Sequence, residues 1–330
     1  MKISSLAKYA IGITTSAALL AACSSGSSSV NPAGVQLAPG ATVHGLLTLA
    51  AHPGNDNGVR PPASPDKKKK SGAIQYISNF YDGDLLEFDY PKGTSSTGTI
   101  SGVTDSQGEC TQGLVGKADF WVVASGSDAV EEFKAGGSSP ISTLSESAGE
   151  PAGCALSPKG DLAVSILGAG DVVIFKGAKG SGTTVSDGLS SSYFLGYDKA
   201  GNLFVDGEGG AGTELAEMPA GKSSFSLITL PNSITFPGEV QYDGKYITVN
   251  DQSGYAIYGY TVSGTTATLK QTVSYTGATD CVQTWIAGKF FICPDAGAEN
   301  GKIYPYPKGG AATATLSGSF DLPIGAVDLK

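Results

Sequence analysis

The stretch GDLLEFDYPKGTSSTGTISG, residues 83–102, has a near double in NGKIYPYPKGGAATATLSGS, residues 300–319. Both carry a short apolar and aromatic run, then Tyr-Pro-Lys-Gly, a tract of small residues, and Thr-Ile or Thr-Leu before Ser-Gly. The second Tyr-Pro-Lys-Gly lies 216 residues after the first. A shorter period runs between them. Apolar strand signals follow turns near Gln75 (QYIS), Asp119 (DFWVV), Asp161 (DLAVS), Asn202 (NLFVD), Lys245 (KYITV) and Lys289 (KFFIC), at spacings of 44, 42, 41, 43 and 44. Six registers at a period in the low forties predict a six-bladed β-propeller with four strands per blade.

One full unit, PAGCALSPKGDLAVSILGAGDVVIFKGAKGSGTTVSD from Pro151, reads as strand A in GCALS, B in DLAVSIL, C in DVVIFK and D in TTVSD. The first unit opens directly at its B strand, IQYISNF, and the chain ends in an orphan A strand, PIGAVDLK, from Pro323. The C-terminal strand is therefore expected to complete the first blade and close the ring, which removes the open sheet edges. On this reading Tyr90–Gly93 and Tyr306–Gly309 are the same C-strand exit in the first and last blades, which are neighbours in the ring.

The Pro151 unit and LGYDKAGNLFVDG from Leu195 carry Pro-x-Gly, an apolar strand, Asp-x-x-Gly, a strand and an apolar C strand. This resembles NHL-type six-bladed propellers over residues 71–330. The resemblance is structural, so it implies the fold and leaves the function open.

The first segment reads as an address. Lys2 and Lys8 precede and open an apolar core, YAIGITTSAALL, too short to span a bilayer as a permanent helix. It ends in Leu20-Ala21-Ala22-Cys23, which resembles the bacterial lipobox. The resemblance implies a signal peptide over 1–22, cleavage before Cys23, and lipidation of that cysteine, hence an extracytoplasmic protein anchored to the membrane of the cell envelope. Ser24 rather than Asp after the cysteine points to the outer membrane in a cell that has one. Residues 23–70, with SSGSSS, NPAG and HPGNDNGVRPPASPDKKKK, are rich in Ser, Gly, Pro and charge, and read as a disordered linker. The Lys67–Lys70 run reads as a solvated domain edge.

Composition narrows the chemistry. Forty-seven glycines and sparse charge, 15%, suit a turn-rich all-β chain. His44, His52 and the only arginine, Arg60, all precede residue 71. The propeller segment therefore holds no Ser-His-Asp or Cys-His arrangement, no histidine-based metal site and no arginine clamp. It carries 14 lysines against 28 acids, which excludes nucleic acid as a partner, since that binding rests on phosphate neutralisation.

Four cysteines remain once Cys23 is assigned to lipid. With a loop of Ile286, Ala287 and Gly288, Cys281 falls opposite Cys293 on one A–B hairpin. Cys110 and Cys154 then pair by elimination between adjacent A strands. Glu109, Glu150, Glu239 and Asp280 are read as lying just before A strands, and Asn79, Asp206, Asn250, Asp251 and Asp295 as following B strands. That would gather them on the face shared by the D–A and B–C loops. Carboxylates with Asn carbonyls are hard-cation ligands, so Glu109, Glu150, Glu239, Asn250 and Asp280 are candidates for a Ca²⁺ site. Such a set resembles the divalent-cation site of gluconolactonase-type propellers, although that family's Asn-Gly motifs are absent. Solvated turn acids are the other reading of the same residues. Trp121, Phe175, Tyr258 and Phe291 recur at equivalent strand positions and are expected to pack between blades; Trp285, near an A–B turn, has no such assignment. The leading expectation is a non-catalytic module, without a cofactor, that binds an envelope protein or a small ligand at one face. A divalent-cation lactonase or related hydrolase is the alternative.

Overall fold

The structure, a computed structural model, describes residues 73–111 and 119–329. The leader at 1–22, Cys23 and the linker to residue 70 lie outside the described residues. More than half of those described are in strands and the rest in turns and loops, with 3₁₀ turns at Ser125–Ser127 and Ala296–Ala298. Six sheets follow one another in the chain, so the protein is a six-bladed β-propeller.

The innermost strands are Pro323–Leu329 in blade 1, Ser106–Cys110 in blade 2, Glu150–Leu156 in blade 3, Ser191–Tyr197 in blade 4, Pro237–Tyr242 in blade 5 and Trp285–Ala287 in blade 6. Ring closure follows the expected route. Pro323–Leu329 runs antiparallel to Ala73–Asn79, with Ile74 opposite Leu329 and Asn79 opposite Pro323. All seven residues of the closing strand are buried. The duplicated segments also meet: the loop after Tyr90 and the stretch after Tyr306 join through a parallel bridge at Ser95 and Ser317. Both Tyr90–Pro91 and Tyr306–Pro307 are cis.

Apolar side chains alternate along each strand, so every blade has two faces to bury. Separate clusters accordingly fill the gaps between neighbouring blades. Trp121 and Phe175 sit between blades 2 and 3, around Cys110 and Cys154. Phe291 stacks on Tyr304 at 4.9 Å between blades 5 and 6. Burying one such ring stabilises the fold by about 1.5–3 kcal/mol. Tyr258 is only partly buried against its cluster, less than the recurrence of aromatic positions implied.

Both disulfides form with the expected partners: Cys110–Cys154 joins the inner strands of blades 2 and 3, and Cys281–Cys293 lies within blade 6. The hairpin register differs from expectation. Ala287 pairs with Phe290 across a two-residue turn at Gly288 and Lys289, and Cys281 bridges Asp295 rather than facing Cys293. Residues 282–284 leave the ladder between these points. That departure brings the Cys281 and Cys293 Cα atoms to 5.1 Å, within disulfide reach.

Candidate functional site

The channel is pinched from within. In blades 1 to 5 the register between strands A and B slips near the middle of strand A, between Pro323 and Ala326, Ser106 and Glu109, Pro151 and Cys154, Ser192 and Leu195, and Pro237 and Val240. Each slip is a bulge that pushes the inner strand toward its neighbour. Contact there is close: a Cβ on Gly108 would lie 2.7 Å from the Ala152 oxygen, and one on Gly325 would lie 2.4 Å from the Gln107 oxygen. Only glycine allows such approach.

Buried polar side chains on the B strands clamp these bulges. Ser78 Oγ accepts the Gly325 N–H and donates to the Gln107 carbonyl of blade 2. Ser165 takes the Gly153 N–H and donates to the Tyr193 carbonyl of blade 4. Asn250 donates to the Cys281 carbonyl of blade 6 at 2.7 Å and accepts from the Tyr275 hydroxyl at 2.9 Å. Asp206 takes the same place in blade 4: its Oδ1 accepts the Phe194 N–H, while Oδ2 has no partner. Gln283 reaches across the closing strand and brackets the Glu109 backbone, accepting its N–H and donating to its carbonyl at 2.8 and 2.7 Å. Gln241 brackets Ile286 of blade 6 in the same way.

The mouth bordered by the D–A and B–C loops, where the acidic candidates were expected to gather, is filled. Phe80, Tyr193, Phe194, Val282, Ala296 and Ile324 come from blades 1, 4 and 6 and pack into one buried apolar cluster, with Phe236 of blade 5 at its edge. At the strand ends beneath it, Asp251 accepts the Thr235 and Phe236 N–H groups, and Asp295 accepts those of Thr279 and Asp280 and also pairs with Lys302. Asn79 accepts the Asp321 N–H and donates to the Ser319 carbonyl. These B-strand ends therefore fasten the D–A loops of their own blades.

The opposite mouth, bordered by the A–B turns, is hollow. A cavity of about 610 Å³ opens among the C-terminal halves of the inner strands of blades 2 to 5 and the start of that of blade 6. Leu156, Leu195, Val240 and the Cys110–Cys154 bridge supply apolar wall; Tyr197, Tyr242 and Trp285 supply aromatic wall. Glu239 reaches it from deeper in the channel and is 4% exposed.

The five cation candidates do not converge. Glu109 and Glu239 lie inside A strands rather than before them, both buried in the channel. Glu150 opens its strand and accepts a long bond, 3.4 Å, from Gln107. Asp280 is buried beside the Asp295 clamp, and Asn250 is committed to its bulge. Among the described residues no three His, Cys, Asp or Glu side chains are grouped so as to hold a metal ion.

Electrostatics follow from this placement. Burial pushes the Glu109 carboxyl well above the usual carboxylate range, with only partial relief from the Ser78 N–H. Burial does the same at Asp206, against relief from backbone N–H groups. Glu239 is also raised, first by burial; a Gln283 bond opposes the shift and the neighbouring Asp206 charge adds to it. At Glu150 burial raises the carboxyl, Gln107 opposes, and Asp105 and Asp128 add.

Sequence reasoning missed Trp285 and Tyr197 as wall residues. Their only signal was an aromatic at or just before an A–B turn, which packing between blades explains equally well.

No protein-family model matches this sequence, and no curated protein does. Solved structures match the fold. A chain in the crystal structure of a nidogen–laminin complex has a TM-score of 0.63 at 11% identity, over 78% of this chain and 99% of that one. A protein of unknown function from Bacteroides caccae has a TM-score of 0.59 at 11% identity, over 79% and 100%. A functionally unknown protein from Desulfotomaculum acetoxidans reaches 0.54 at 13%, over 78% and 86%. At these identities the likeness speaks for the propeller alone.

Proposed function

We propose that this chain is a bacterial lipoprotein, held outside the cytoplasm through Cys23, whose NHL-like propeller serves the cell envelope as a non-catalytic binding module. One observation carries the binding role: an apolar cluster fills one channel mouth while the other opens as a cavity of about 610 Å³. Concave, mostly apolar hollows of that size with a few polar groups are the usual form of small-ligand sites. The absence of histidine and arginine after residue 60 supports a role without catalysis. The membrane is the partner on the anchored side, through the Leu20–Cys23 segment. Cys23→Ala is expected to abolish palmitate labelling and leave unprocessed precursor; continued labelling would refute the anchor.

The binding role is tested by thermal shift with a panel of small organic compounds, run on the wild type and on Leu156→Trp, which narrows the cup. A compound at a hundred times its dissociation constant stabilises the fold by about 2.7 kcal/mol. Compounds that shift the wild type and not the narrowed variant are expected. A panel that never distinguishes the two proteins sinks the role. The lactonase alternative has its own signature: a calcium-specific rise in melting temperature, lost in Glu239→Gln or Asp280→Asn, together with lactone hydrolysis. That result would replace the binding reading.

A further inference from the structure

Most polar groups around the cup are already committed. Gln241 spends both ends of its amide on Ile286, the Tyr242 hydroxyl donates to the Gly244 carbonyl, and Thr111 donates to the Asp119 carbonyl. Asp198 accepts the Ala200 and Asn202 N–H groups and the Asn202 side-chain amide. Two wall residues keep unfilled capacity while almost fully buried. The Trp285 Nε1–H has no acceptor and Glu239 Oε2 has no partner, each residue being 4% exposed. One asks for an acceptor, and the other is a carboxyl group that can exchange a hydrogen bond with a hydroxyl in either protonation state. The rest of the wall is aliphatic or aromatic apart from Lys199, which is exposed at the rim.

Building on the binding role above, we infer that the cup takes an uncharged, largely apolar ring compound carrying one or two hydroxyl or carbonyl groups, of the phenol class. A hydroxyl both accepts and donates, so it supplies what Trp285 and Glu239 each lack. A sugar fits less well: most of its hydroxyls would face Leu156, Leu195 and Val240 without partners, and each buried polar group so stranded costs binding energy. An organic ammonium would answer Glu239 but turn positive charge toward the indole N–H, and the aromatic wall alone would have to offset that. An anion would meet Glu239 with Asp206 behind it, and the lining lysine, Lys199, is exposed to solvent at the rim, where its charge is screened.

Isothermal titration with 2-naphthol, cellobiose and benzyltrimethylammonium separates these cases. The expected result is saturable binding of one 2-naphthol per chain, absent in Leu156→Trp. Trp285→Phe keeps an aromatic ring and removes the N–H; because Trp285 also packs in the core between blades 6 and 1, a lower melting temperature is expected together with at least a tenfold weakening of 2-naphthol. A purely structural Trp285 would lower the melting temperature and leave the affinity for 2-naphthol unchanged, which counts against the inference. Tighter binding of cellobiose or of the ammonium, lost in Leu156→Trp, overturns the ligand class and leaves the cup a binding site. If 2-naphthol fails while the wider panel still yields compounds lost in Leu156→Trp, the ligand class alone falls. If both fail, the binding role falls with it.

Discussion

The two mouths of the channel are built from the same six inner strands, yet one is closed by Phe80, Tyr193, Phe194 and Ile324 and the other is a hollow walled by Tyr197, Tyr242 and Trp285. The bulges account for the difference. They bring the inner strands together in the first half of strand A, so side chains from several blades meet across the axis there. Beyond the bulges neighbouring inner strands still touch, through the Cys110–Cys154 bridge and the Gln241 bracket of Ile286, but the apolar side chains that meet across the axis are those of the first half. That cluster closes the first mouth, and the second stays open. Acidic residues near the channel are thus not a functional signal by themselves. Asn250 and Asp295 are clamps, while Glu239 borders the hollow from within its bulge, between Pro237 and Val240.

The comparison can be broken at several points. Ending the chain before Pro323 removes a strand whose every residue is buried, so blade 1 loses its inner strand and the filled mouth loses Ile324. The loss should exceed the whole folding free energy of an ordinary domain, about 5–15 kcal/mol. A truncated protein that stays monomeric and melts cooperatively near the full-length temperature would refute ring closure by this strand.

The mouths should then respond oppositely to side-chain changes. Phe194→Ala empties part of the filled mouth and is expected to cost about 3–5 kcal/mol in denaturant unfolding. Leu156→Trp adds volume at the open mouth, where there is room, and should cost under about 1 kcal/mol. Equal costs would mean that the second mouth is packed as well.

The disulfides flank the open mouth unequally, since Cys110–Cys154 lines it and spans 44 residues, whereas Cys281–Cys293 spans 12. In the chain-entropy account, replacing both cysteines with serine costs about 4 kcal/mol for the longer loop and about 3 for the shorter. Non-reducing peptide mapping should recover these two pairings; a Cys154–Cys281 peptide would contradict them.

The smallest effect concerns Asp206, whose counterparts Ser78, Ser165 and Asn250 all donate to a carbonyl of the next blade. A raised carboxyl in the fold means stability present below the ordinary carboxylate range and lost as pH climbs toward the folded value. Asp206→Asn supplies a permanent donor. It should stabilise the protein by roughly 1–2 kcal/mol at pH 7.5, with the gain disappearing near pH 4. Urea unfolding at both pH values checks this, and a pH-independent difference would show that the Asp206 proton plays no part.

Blade number, strand order and ring closure were legible in the sequence, because each rests on local chemistry repeated at a fixed period. Strand alternation, glycine turns, and Tyr-Pro-Lys-Gly in blades 1 and 6 suffice for them. The cysteine partners were named too, but Cys281–Cys293 through a hairpin register that the structure replaces. The hairpin register at Trp285 was not legible: a two-residue turn and a three-residue loop suit the same Ile-Ala-Gly-Lys residues, and the Cys281 bridge to Asp295 selects between them. Nor could local sequence place Glu109 and Glu239. Their strands begin at Ser106 and Pro237, earlier than the acids suggest, and a one-residue bulge moves a side chain between the channel and the blade interior. Which mouth is filled depends on Phe80, Phe194 and Ile324, up to 244 residues apart, converging across one axis. No local pattern encodes that convergence, because it exists only when all six blades are in place.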